Sequence, residues 1–172
     1  MEERRDTIAS SLSLEAIGHA AIAYATFGMT TDEQAYFWHH VRKGTTKQLL
    51  EQDFSLTSTQ PIEMILGALT VVDGTAADGA QQSAETRQLN SDMVCAIMSR
   101  KDEILKMPLS TTSMLFACLS RFIALMDQGQ EEPVEASTAF DVFKESFAQS
   151  LAASHELKID DVFILATALA AE

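Results

Sequence analysis

The stretch from Leu109 to Gln128 constrains this chain more than any other. Pro108 precedes it, Gly129 follows it, and between Met114 and Met126 only Ser120 and Arg121 are polar. A helix apolar on nearly every side belongs inside a protein or inside a membrane. Twenty residues rising about 1.5 Å each reach about 30 Å, enough to cross a bilayer. The polar start Ser110-Thr-Thr-Ser113 and the central Arg121 oppose that reading, because charge at mid-bilayer is costly. We therefore expect a buried central helix over about 110–128, with the remaining helices gathered round it.

The rest of the chain offers helices to do this and little for a sheet. It has 172 residues with only seven Gly and three Pro, and its β-branched residues form no alternating runs. A single domain of this length buries roughly 70% of its unfolded surface. The expected fold is all-α: one domain over residues 1–172, a bundle of seven to eight helices.

The segments follow from periodicity and caps. A first helix runs from about Arg4 or Ser11 to Phe27, its apolar stripe being Leu12, Ile17, Ala20, Ala21, Tyr24 and Phe27, with Gly28 as its stop. Thr30-Thr-Asp32 opens a second helix through Lys43, closed by Gly44. A short third helix carries Leu49, Leu50 and Phe54. Ser58-Thr-Gln-Pro61 opens a fourth, ended by Asp73-Gly74. A fifth covers about Ser83 to Met107. After the central helix, Ser137 or Thr138 caps a seventh, with Phe140, Phe143, Phe147 and Leu151 on one face. Asp160-Asp161 opens a last helix, Val162 to Ala171, again almost wholly apolar.

Charge narrows the partners. The net charge is −13, from 25 acidic and 12 basic side chains. Such a surface repels nucleic acid and anionic lipid and suits a basic protein partner. A third reading, an acidic mimic of nucleic acid, needs its carboxylates arrayed on one surface, and only the chain beyond Asp127 is rich enough in them. The start resembles a signal sequence superficially, but Met1-Glu-Glu-Arg-Arg-Asp6 mixes signs, and Glu15 and His19 interrupt the apolar run. The expected location is the cytoplasm, with Cys95 and Cys118 as free thiols.

Patterns that carry chemistry are few. His39-His40 follows Tyr36-Phe37-Trp38, but consecutive helical residues point about 100° apart and cannot share one metal. Glu15 and His19 share a helix face at i, i+4, yet no nucleophile completes a catalytic set. None of the four His has Glu three residues before it, so the di-iron bundle signature is missing. The glycines fit neither the Walker nor the dinucleotide spacing. The cluster from His39 to Lys47 has a helix–turn–helix outline around Gly44, with the wrong charge for DNA around it. Arg121 reads as a snorkelling side chain on the thin side of the central helix, shared with Met114, Ala117, Ala124 and Gln128, or as the partner of Asp92 or Glu63.

No metal or cofactor is expected. The reading is a non-enzymatic protein-interaction or regulatory module, a homodimer acting through apolar helix surface. The alternative is a small-ligand protein or enzyme with its pocket near Trp38, His39, His40 and Arg121. The candidate contact residues are Tyr36, Trp38, His39, His40, Arg42, Lys43 and Arg121.

Overall fold

The computed structural model describes residues 12–27, 31–76, 83–128 and 135–153. Among the described residues the chain is all-α, a bundle of seven helices. These are α1 (Leu14–Phe27), α2 (Thr31–Leu50), α3 (Gln60–Ala76), α4 (Ala84–Met98), α5 (Lys101–Ile104), α6 (Leu109–Asp127) and α7 (Glu135–Ala153). The predicted helix Val162–Ala171, the cap at Thr30 and the stop at Gly28 lie outside the described residues.

Helix α1 starts where Ser13 accepts the Ala16 N–H at 3.2 Å, with Glu15 in the first turn against the positive helix end. Its inner face is Leu14, Ile17, Gly18 and Ala21, all buried. Gly18 sets the approach to α3: a Cβ there would sit 3.1 Å from the Pro61 carbonyl oxygen and 3.3 Å from the Pro61 Cα. The predicted stripe is therefore partly wrong. Leu12 and Phe27 are exposed, because the α1–α3 contact is centred on Gly18 rather than on the large side chains.

Helix α2 does not end at Gly44. It runs unbroken to Leu50, and the predicted short third helix is its last two turns. Thr45 and Thr46, which follow Gly44, bond backwards along the helix, Thr45 to the Val41 carbonyl at 2.7 Å and Thr46 to the Arg42 carbonyl at 2.9 Å. The end of α2 is closed from a distance. Arg100 donates through Nε to the Leu49 carbonyl and through Nη2 to the Glu51 carbonyl, each at 2.7 Å. The predicted helix 83–107 breaks at Ser99–Arg100 into α4 and α5.

Helix α3 opens on Thr59, whose hydroxyl donates to Glu63 Oε1 at 2.6 Å, and it continues past Asp73-Gly74 to Ala76. It packs against both α1 and α6, while α4 packs against α2 and α7. Helix α6 is the apolar helix predicted from sequence. By length and composition it could cross a membrane, yet ten of its residues, from Thr112 to Met126, are buried in the bundle. Thr112 ties its start to α5 by donating to the Ile104 carbonyl at 3.0 Å. Helix α7 begins at Glu135, ahead of the predicted caps, and Ser137 donates to the Asp127 carboxylate at 2.8 and 2.9 Å instead of capping. Its Phe140, Phe143 and Phe147 gather round Phe116 of α6, with ring centroids 5.1 to 6.3 Å from it.

Candidate interaction surface

The candidate residues on α2 divide by depth. Trp38 faces the core, only 4% exposed, with its ring edge-on to Phe37 at 4.9 Å. Phe37 in turn stacks on Tyr24 of α1, with centroids 3.7 Å apart and planes 8° from parallel, which joins the two helices. Tyr36 and Lys43 are exposed. His40 is half-buried, edge-on to Tyr36 at 4.2 Å and to His39 at 5.5 Å. His39 reaches α4, its Nδ1 3.5 Å from Glu85 Oε1. Burial, then Lys43, hold the His39 imidazole below its ordinary pKa, and Glu85 opposes them in part.

Arg42 lies inside the protein. It is 3% exposed and occupies the junction of α2, α3 and α4. Nη2 donates to both carboxylate oxygens of Asp73, at 2.7 and 2.9 Å, and Nε donates to Asn90 Oδ1 at 2.5 Å. Asn90 closes the ring by donating through Nδ2 to Asp73 Oδ2 at 3.0 Å. All three residues are buried. A buried charge is tolerated when it is paired and hydrogen-bonded, as here. From sequence Arg42 is a candidate contact residue near the expected end of a helix at Lys43, Asp73 belongs to a helix stop, and Asn90 has no role. The one available signal was a polar residue on the core-facing side of each helix.

Arg121 stands apart from the α2 group. It sits on the exposed side of α6 with Ser110, Met114, Ala124 and Gln128, and no carboxylate among the described residues pairs with it. Cys118 lies near it, half-buried, its thiol pushed up to about 11 by burial and by Glu63. Burial likewise raises Cys95. Neither thiol is a ready nucleophile in such surroundings. Among the described residues no three His, Cys, Asp or Glu side chains are grouped to hold a metal ion.

The surface that sequence reasoning missed is the outer side of α1. From Ala16 to Phe27 the chain carries no Asp, Glu, Lys or Arg. The inner side of this segment accounts for only part of its apolar content. Ile22, Ala23 and Phe27 face out, Phe27 being 82% exposed, and His19 and Thr26 are the polar residues beside them. The missed signal was that a helix without charge cannot supply a solvated face. No protein family, no curated protein and no solved structure matches this chain.

Proposed function

We propose that the chain is a non-enzymatic protein-interaction module of regulatory type, and that the outer side of α1 is its contact surface. The observation that carries the reading is the exposure of Ile22 and Phe27 on a helix with no charged side chain after Glu15. Large apolar and aromatic groups on an uncharged patch, rimmed by charge, have the composition of an interface centre. The chain as a whole carries a net charge of −13, which favours approach by neutral or basic partners.

The test compares the intact chain with Ile22→Glu/Phe27→Glu by cross-linking mass spectrometry in lysate of the native cell. Both side chains are exposed, so the variant keeps the helical circular dichroism of the parent. The reading expects protein cross-links, self-links included, mapping to α1 and lost in the variant. A chain that forms no protein cross-links, or whose links are indifferent to both substitutions, overturns it.

A further inference from the structure

Resting on this reading, we propose that Ile22 belongs to one wall of a groove, and that the groove takes an amphipathic helix with basic edges from a partner protein. Helix α3 is its floor, and α1 and α6 are its walls. Helix α3 packs against both, while α1 and α6 hardly touch one another, so they stand on either side of it.

The side of α3 left between them follows from its two neighbours. Pro61 and Met64 lie against Gly18 of α1. Glu63 is close enough to α6 for its charge to raise the Cys118 thiol. At about 100° per residue, Gln60, Gly67, Val71 and Gly74 fall in the arc between those two directions. Gln60, Val71 and Gly74 are exposed, and a Cβ at Gly67 would meet nothing within 4 Å. The middle of the floor is open space above a residue with no side chain.

The walls follow in the same way. Ile22 comes four residues after Gly18, about 40° round α1, on the side away from Tyr24 and its stack on α2. On α6, Met114 comes four residues before Cys118 and Arg121 three after it, both exposed and on the same side of it. Ile22 is 40%, Val71 55% and Met114 43% exposed. Three large apolar side chains from three adjoining helices thus line one trough, with half-buried Met64 an adaptable surface at its edge.

Charge selects the occupant. The charged side chains of α1, α3 and α6 are Glu15, Glu63, Asp73, Arg121 and Asp127. Asp73 belongs to the buried ring with Arg42, and Asp127 accepts from Ser137. Glu15 and Glu63 remain at the trough against Arg121 alone, on a chain of net charge −13. Lys and Arg along the edges of a partner helix answer that field, and a second copy of this chain does not. The apolar face of such a helix, at i, i+3, i+4 and i+7, lies along the trough, where Gly67 lets it approach closely. From Gln60 to Gly74 the floor is about 21 Å long, which a helix of about 14 residues covers.

The probe is a synthetic helix of about 14 residues, locked by a side-chain lactam because free peptides of that length are marginally helical. Its face is Leu and Ile and its edges are Lys and Arg. A second peptide keeps the face and carries Glu on the edges. Fluorescence anisotropy follows both against the full chain, at low and at physiological salt. The basic helix binds to saturation and the acidic one does not. Gly67→Trp fills the floor without displacing a neighbour, so it keeps the melting temperature of the parent and weakens the basic helix at least tenfold. Glu15→Lys weakens it and Arg121→Gln tightens it, each by a factor of two or more, while Val142→Trp on α7 changes nothing. A basic helix that fails to bind overturns the proposal, as does one indifferent to Gly67→Trp or an acidic helix that binds as well. If the peptide fails yet cross-links from α1 to other proteins persist, the groove fails and the interaction reading stands; loss of both removes the two together.

Discussion

The Arg42 guanidinium grips both oxygens of the Asp73 carboxylate at 2.7 and 2.9 Å, across 31 residues of sequence and between two helices. With Asn90 it forms a closed polar ring where α2, α3 and α4 meet. Removing Asp73 leaves a cation buried without a counter-charge. Asp73→Ala is expected to cost about 3–5 kcal/mol in urea unfolding, whereas Arg42→Met/Asp73→Leu, which removes both charges, recovers most of that loss. A double variant no more stable than the single one contradicts this account of the ring.

The glycines of α1 and α3 give opposite expectations. A methyl group at Gly18 meets the Pro61 backbone at 3.1 Å, and backbone cannot swing away as a side chain does. Gly18→Ala therefore forces α1 off α3 and destabilises by about 1–3 kcal/mol. Gly67 has nothing within 4 Å of such a methyl group. Gly67→Ala then gains helix propensity alone, about 0.5–1 kcal/mol, read as a higher urea midpoint.

Glu103 makes the acid limb of stability informative. Its carboxylate accepts the Leu56 N–H at 2.9 Å and pairs with Arg100 at 2.9 Å, and the first contact and then the second hold its pKa below the ordinary value of 4.5. A carboxyl lowered in the folded state binds its proton more tightly when unfolded. Its contribution is thus whole above pH 4.5 and disappears as pH falls through the folded value. Glu103→Gln is expected to lower the urea midpoint at pH 6 and to approach wild type as the pH falls below 4.5. Parallel curves across that range contradict the assignment.

These contacts mark the limit of what the sequence discloses. The aromatic face Phe140, Phe143, Phe147 was readable because core packing repeats with the helix, and all three are buried against Phe116. The apolar run of α6 was readable for the same reason, and so was its thin side at Arg121. What failed was any choice settled by a distant partner. Gly44 looks like a stop, yet α2 ends only at Leu50, where Arg100 from beyond α4 closes it. Arg42 looks like a solvated helix end, and only the folded arrangement of Asp73 and Asn90 explains its burial. Of the candidate contact residues, Trp38 and Arg42 face inward and Tyr36, Lys43 and Arg121 face outward. The outer side of α1 went unread because Leu12 and Phe27 were assigned to the apolar stripe, while Ile22 and Ala23 were assigned to no face.

The most direct test of that surface is hydrogen–deuterium exchange by mass spectrometry, comparing the intact chain alone with the chain bound to a protein partner that cross-linking identifies. The account predicts that binding adds protection on the peptides covering Leu12 to Phe27. Protection that appears instead on the Met114–Arg121 side of α6, or none on the Leu12 to Phe27 peptides, contradicts it.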